Sequence, residues 1–557
     1  MITFDEKKQK RKIETLHKKE EEEVTQILSE KYDLPYANLS DIPIELDYLK
    51  LIPEEQSHQG KIVVFQGVGK KIQVGMQNPN LSLTKNILEK LKKNHKVQSF
   101  LVSSKSLGKA WEKYKEVPEF VELTKGVIKI SPERIEEFLS QTTTLEKLKE
   151  IFLNRVKSKE KRRISELLEI MLGGALKMDA SDIHLEPQEG NIVKMRLRLD
   201  GVLHDITSFQ TKAYQLILSR IKLISEMKLN IKEKAQDGRF SIKALGTEIE
   251  VRSSALPGPY GESIVLRLLN PKTISVPLKE LGIQPQLLEI IKKEIKRPNG
   301  MILTTGPTGS GKTTTLYAFL KEIKSSDIKI ITIEEPIEYH LEGVTQTQTN
   351  PKKGYDFSTG LSSILRQDPD IIMVGEIRDL KAATIALNAA LTGHLVFSTL
   401  HTNDATGTIP RLIELGAKPA IIAPAINISI AQRLVRKLCE YCKKTDNPTK
   451  EEQIIIEKTI SSFPKNTPKP DIKSLKISKP AGCEKCSSIG YKGRIGIFEA
   501  ILINDEMEKL ILKRPSESEI KETWAKQETL NMRQNAILKI IEGTTSFKET
   551  KRVIELN

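Results

Sequence analysis

Cysteine is scarce in this chain, with four among 557 residues. That excludes a disulfide-dense scaffold. Aromatic residues make up only 5%, too few for the stacking platforms on which single-stranded nucleic acids are held; no direct nucleic-acid partner is expected. No apolar run approaches the roughly 18 residues that a membrane span requires. The most apolar candidate, residues 420–431, is broken by Pro424, Asn427 and Ser429. Met1 to Glu6 carry no signal-peptide core, so a cytoplasmic location is expected, with any membrane association peripheral. Neither sign of charge is lacking: 88 Lys and Arg stand against 73 Asp and Glu, a balance of +15. Such a balance suits nucleic acid, anionic lipid or acidic proteins and selects none of them, and solvated helix faces of mixed sign are its plain reading.

A chain of this length exceeds one hydrophobic core, so several domains are expected. Residues 1–30 mix both charges, with Ile13, Leu16, Val24, Ile27 and Leu28 at helical spacing, and read as a charged mobile helix. Residues 31–105 contain short alternating segments (Lys61 to Phe65, Lys71 to Gly75) and read as an accessory α/β domain. Residues 106–161 are Lys/Glu-rich and read as a connector. In 162–285, Val193, Met195, Leu197 and Leu199 alternate up to the turn pair Asp200-Gly201. A second hairpin pairs Phe240, Ile242 and Ala244 with Ile249 and Val251 across Leu245-Gly246, predicting a mixed α/β domain. Residues 286–437 alternate strands (301–305, 328–333, 370–374, 395–399) with helical patterns, as a helix-covered parallel sheet requires. A polar excursion over 438–500 and a helical region over 501–557 complete the chain.

Within 286–437, Gly306-Pro307-Thr308-Gly309-Ser310-Gly311-Lys312-Thr313 follows an apolar strand and opens a helix. This is the phosphate-loop pattern in its required context. The glycines let backbone N–H groups turn inward around a polyphosphate, and the helix N-terminus adds its positive dipole end. Lys312 is expected on the β- and γ-phosphates and Thr313 on Mg²⁺, with Thr314 continuing the nucleotide-binding segment.

Three further segments carry candidate chemistry. The strand 330–333 ends in Glu334-Glu335-Pro336-Ile337-Glu338, carboxylates at the strand end where open α/β sheets bind ligands. Asp370 to Val374 leads through Gly375 to Glu376. It has the character of a Walker B strand with glycine where an Asp usually holds the metal, so Glu376 is expected to serve Mg²⁺ through water or to serve the nucleophile. His394 and His401 flank the strand 395–399 and read as sensors of the phosphates. The cysteines form two knuckles, Cys439/Cys442 and Cys483/Cys486. That fits a closed, structural Zn²⁺ site better than disulfides or paired redox thiols, although the gap is longer than a usual ribbon.

Taken together, these segments resemble the ATPases of type II secretion and type IV pilus assembly, of the extension-motor type. The matching residues include Ala180 to Pro187, Leu199 to Leu203, Gln236 to Arg239, the phosphate loop, Ile333 to Tyr339, Leu365 to Asp370, Thr392 to Asn403, both cysteine pairs and Gly490 to Glu499. The resemblance implies a RecA-like P-loop core preceded by a PAS-like mixed α/β domain, with an N-terminal accessory domain and a C-terminal zinc-bound and helical region. It implies a homohexamer that hydrolyses ATP with Mg²⁺ at the cytoplasmic face of the inner membrane and works on a membrane platform protein. Glu338 matches the catalytic carboxylate of the family's Asp box, Glu376 that of its Walker B, and His394 and His401 its His box. Arg198, Arg239, Arg252 and Arg267 are the candidates for the arginines that reach the phosphates. Two departures stand out: Glu335 replaces the usual Asp, and Asn535-Ala536 replaces a familiar Asp-Gly. The alternatives within the same reading are a pilus retraction ATPase and a nucleic-acid-stimulated ATPase in DNA uptake.

Overall fold

The computed structural model describes residues 21–40, 42–68, 71–93, 95–116, 127–129, 144–158, 163–244, 246–271, 276–472 and 475–556. Residues 21–31 are helical; Ile13 and Leu16 of the expected charged helix lie outside the described residues. The next unit is a three-stranded sheet of β1 (Ile62–Val68), β2 (Lys71–Met76) and β3 (Lys96–Leu101). β1 is antiparallel to β2, and β2 is parallel to β3, with helix α1 (Ser82–Lys92) as the crossover. Helix α2 (Ser104–Glu112) begins where Ser103 Oγ accepts the Ser106 N–H, and its Leu107 packs with Val63 and Phe65.

The stretch read as connector contributes to both neighbours. α2 belongs to the first unit, whereas β4 (Val127–Lys129) pairs in parallel with a strand of the next sheet. Helix α3 (Leu145–Lys157) buries Leu148 and Phe152 against helix α4 (Arg163–Lys177). Apolar residues at helical spacing inside a Lys/Glu-rich composition explain why that composition misled. The second sheet continues with β5 (Ala180–Gln188), β6 (Ile192–Leu199), β7 (Val202–Gln210), helix α5 (Thr211–Ile224), β8 (Gln236–Ala244), β9 (Thr247–Leu256) and β10 (Ser263–Leu269). Among the described residues its order is β4-β8-β9-β10-β5-β6-β7. Both expected hairpins are present, with Leu199 opposite Val202 and Phe240 opposite Val251; Leu245 lies outside the described residues.

The third sheet runs β13-β12-β14-β15-β11-β16-β19 among the described residues. Its strands are β11 (Gly300–Thr305), β12 (Ile330–Glu334), β13 (Thr345–Gln348), β14 (Ile371–Val374), β15 (Leu395–Leu400), β16 (Ile426–Leu438) and β19 (Tyr491–Leu502). All neighbours are parallel except β16 and β19. Helices α6 (Lys312–Ile323) and α7 (Leu380–Leu391) cover the sheet. Layers on both faces account for the unbroken burial of β11, β14 and β15. β19 joins this sheet from within and beyond the expected cysteine lobe, so that lobe is an insertion between two paired strands and not a separate tail. It contains β17 (Lys444–Asp446), helix α8 (Lys450–Ser461) and β18 (Ile477–Lys479). Helices α9 (Met532–Ile541) and α10 (Phe547–Lys551) follow.

Candidate functional site

β11 is buried along its length and ends at Thr305, where the loop from Gly306 to Gly311 turns into α6. Gly306 has φ +142° and lies under β16: a Cβ there would meet the Gln432 carbonyl oxygen at 2.5 Å. Gly311, at φ +90°, caps α6. Both positions require glycine. Lys312 folds back over the loop, its Nζ donating to the carbonyls of Gly306 at 2.8 Å and Pro307 at 3.2 Å. Burial pushes its pKa down, opposed by the nearby Glu376 carboxylate. Gly306 and Pro307 share a cleft of about 170 Å³ with His401, Thr402 and Asn403. The buried Ser310 Oγ has no hydrogen-bond partner among the described residues, as a group meant for a phosphate oxygen would be left. Thr313 and Thr314, in the first turn of α6, are part-exposed.

The carboxylates converge from two strand ends. Glu376 follows β14, and its oxygens face the Arg378 Nη2 and, at 3.1 Å, the His401 Nε2. His401 is held there because Thr402 donates its N–H to Thr305 Oγ1 at 2.8 Å, tying its loop to the end of β11. Glu335 meets Arg378 Nη1 at 2.9 Å. Glu334 points inward, accepting from Tyr317, from Thr332 at 2.6 Å and from Gln346 at 3.1 Å; burial raises its pKa. Glu338 faces the second sheet, where Arg252 Nη1 lies 3.4 Å from its Oε2 and Arg252 Nη2 donates to the Ile337 carbonyl at 2.8 Å. His394 departs from expectation. It sits at the start of β15, its Nδ1 3.1 Å from the Ala389 carbonyl at the end of α7, opposite the end that carries His401. Six residues of strand, about 20 Å, separate it from the loop within this chain, so the structure does not bring it to the site.

The four arginine candidates lie in one row. Cross-strand register places Arg239 opposite Arg252, Arg252 opposite Arg267, Arg267 opposite Asp182 and Asp182 opposite Arg198. Directly opposed residues share a face of the sheet, so all five side chains project to one side. Asp182, 4% exposed, takes Arg267 Nε at 2.9 Å and Arg198 Nε at 3.2 Å. Arg239 is exposed at the row's edge. Two further arginines were not singled out from the sequence. Arg378 stands two residues after Glu376. Arg433 follows the apolar run of β16, donates to the Asn403 carbonyl at 2.7 Å and approaches Gly306; a cation at the end of a buried apolar run is the signal that marks it.

The cysteine knuckles meet because β16 and β19 pair up to Leu438 opposite Tyr491, with the Cys439 N–H donating to the Gly490 carbonyl at 3.0 Å. All four sulfurs lie within 4.8 Å of one another and none is in a disulfide. Backbone N–H groups of Gly482, Cys483 and Gly490 donate to the sulfurs at 3.2 Å, an arrangement that suits thiolates. Four sulfur donors at this spacing fit a tetrahedral Zn²⁺. The long gap is filled by β17, α8 and β18, which fold back on themselves. Beyond the second knuckle, Ile489 packs on the core of the second sheet, and Gly493 donates its N–H to Asp200 at 2.8 Å.

The model of a type II/IV secretion system protein matches residues 157–552. The type IV pilus assembly ATPase PilB of Myxococcus xanthus is 34% identical, covering 95% of this chain and 90% of that protein. The type II secretion system protein E of Aeromonas hydrophila is 44% identical over 70% of this chain and 75% of that protein. Among solved structures, the Legionella pneumophila ATPase DotB aligns with 70% of this chain and 95% of that one, at 23% identity and a TM-score of 0.49. No helix among the described residues is long and apolar enough to cross a membrane. The phosphate loop, the acids beside it and the extent of the match lead to one assignment: this chain belongs to the type II/IV secretion system protein family.

Proposed function

We propose that this protein is an ATP-hydrolysing motor that powers type IV pilus assembly or type II secretion. The observation that carries the reading is the cleft beside the phosphate loop: Gly306, Pro307 and His401 line it, Lys312 Nζ lies 2.8 Å from the Gly306 carbonyl, and Glu376 lies 3.1 Å from His401. It is an ATPase in which Lys312 and backbone N–H groups of the loop from Thr308 to Thr314 hold the phosphates of ATP. Thr313 would hold Mg²⁺ with support from Glu376 through water, and the ion would neutralise charge on the phosphates. Glu338 orients the attacking water, and His401 reports the phosphate state to the loop that Thr305 anchors. Arg252 holds Glu338 across the two sheets at 3.4 Å. Arg198, Arg239 and Arg267 present the rest of a cationic row, suited by their planar, permanent charge to phosphates at the cleft between the lobes.

The core is RecA-like and the second sheet PAS-like, with the first unit as an accessory domain. Zn²⁺ at the four cysteines is structural, because four thiolates leave no open position. The working form is a homohexamer, peripheral to the inner membrane at its cytoplasmic face, pushing on a platform protein; no nucleic acid takes part. Phosphate release from Mg-ATP tests the reading. Lys312→Ala is expected to abolish it, and hydrolysis persisting in that variant rejects the assignment.

A further inference from the structure

Arg378 spans two carboxylates that the proposed chemistry treats separately. One amino group of its guanidinium meets Glu376, on the loop after β14, and the other meets Glu335 at 2.9 Å, on the loop after β12. The second oxygen of Glu376 faces His401 Nε2 at 3.1 Å. Glu376 is therefore gripped at both oxygens by groups from different loops. The backbone around it is equally fixed. Gly375 donates its N–H to the Ile333 carbonyl at 2.8 Å and accepts from Thr399 Oγ1 at 2.8 Å. Ile377 donates to the Thr399 carbonyl at 3.0 Å, and Asp379 caps α7 through the Ala382 N–H at 2.8 Å. Arg378 thus springs from a rigid segment, and only its side chain is free to choose partners.

Stability does not explain that choice. The Arg378 side chain is 59% exposed, and exposed ion pairs contribute about 0–1 kcal/mol. Nor does Glu376 need a partner for burial alone, since His401 and Lys312 already offer positive or donor groups. What the guanidinium adds is direction. A planar fork with two amino groups can take a carboxylate on each and fix the angle between them, which an ammonium cannot. Glu335, on the loop after β12, reaches Arg378 Nη1 at 2.9 Å and supplies the second carboxylate.

We propose that Arg378 is a positioning residue that holds Glu376 in its working orientation, with Glu335 as the strut that orients Arg378. It acts through Glu376 and does not bind nucleotide. The inference rests on the reading of Glu376 as the acid serving metal or water.

The test compares Arg378→Gln, Arg378→Lys, Glu335→Gln and the Arg378→Gln/Glu335→Gln double variant in the full chain. Steady-state Mg-ATP hydrolysis, ADP affinity and thermal unfolding are measured for each, with Glu376→Gln alongside. Loss of one anchor is expected to lower kcat about 10- to 100-fold, because small misplacements of a catalytic group cost rates of this order. ADP affinity should stay within about threefold, a split that marks an interaction expressed during turnover. Arg378→Lys should recover part of the rate. Glu335→Gln should lower kcat less than Arg378→Gln does, and the double variant should be no slower than Arg378→Gln alone, because Glu335 acts only through Arg378. Wild-type kcat in Arg378→Gln while Glu376→Gln is inactive overturns this inference alone. Loss of ADP affinity in step with kcat in Arg378→Gln makes it a nucleotide ligand and also overturns it. Normal turnover in Glu376→Gln sinks instead the reading of the site on which it rests.

Discussion

Replacing Gly306 by alanine tests the phosphate loop at its tightest point. The φ of +142° lies in a region that is open essentially to glycine and costs other residues about 1–3 kcal/mol. The added Cβ would also sit 2.5 Å from the Gln432 carbonyl oxygen and 2.8 Å from Ser310 Oγ. Ser310 can rotate, but the carbonyl belongs to β16, which is paired to β11 on one side and β19 on the other. The loop must therefore move and the sheet must not. A loop that relaxes away from β16 has to be driven back before its N–H groups can surround a polyphosphate. A cost of about 2–3 kcal/mol on that step corresponds to a roughly 30- to 150-fold weaker Kd. Gly354→Ala is the control: its φ is +73° and nothing lies within 4 Å of the new Cβ, so it carries backbone strain without a clash. Titration of a fluorescent ADP analogue with Mg²⁺, beside thermal unfolding, separates the two. Gly306→Ala binding within threefold of wild type would refute the argument that close approach to β16 shapes the nucleotide cradle.

Two further outcomes are expected. Metal analysis should find about one zinc per chain, and Cys442→Ser should lose it and lower Tm, since structural zinc contributes folding free energy directly; a metal-free wild type of unchanged Tm would refute the zinc site. Nucleotide affinity should fall at alkaline pH. Burial holds the Lys312 pKa below its ordinary value, and bound phosphates restore the proton. Between that lowered pKa and about 10.4, binding takes up a proton and weakens by up to about tenfold per pH unit. Calorimetry in buffers of different ionisation enthalpy reads the uptake, and a pH-independent affinity across that window would contradict it.

The phosphate loop, the acids after two strands and the cysteine knuckles are legible in the sequence because each depends on residue type at short spacing. Hairpins such as Leu199 to Val202 are legible for the same reason: alternation and an Asp-Gly turn are local signals. What escaped are long-range consequences. Nothing local says that Tyr491 will pair with Leu438, so β19 read as part of the cysteine lobe and not as an edge of the core sheet. The single row of arginines likewise follows only from register across β8, β9, β10, β5 and β6, strands separated by helix α5 and loops. His394 misled because a strand has two ends: flanking the same strand as His401 put it at the far one. Arg378 carries no local signal in the sequence, and only the fold brings Glu335 beside it.

The most direct test of the account is the structure of the protein with Mg²⁺ and a non-hydrolysable ATP analogue. The account predicts the triphosphate cradled by residues 306–313, with Lys312 on its phosphates and Glu376 and Glu338 turned toward the terminal one. A nucleotide bound elsewhere, or both carboxylates out of reach of that phosphate after the lobes close, would contradict it.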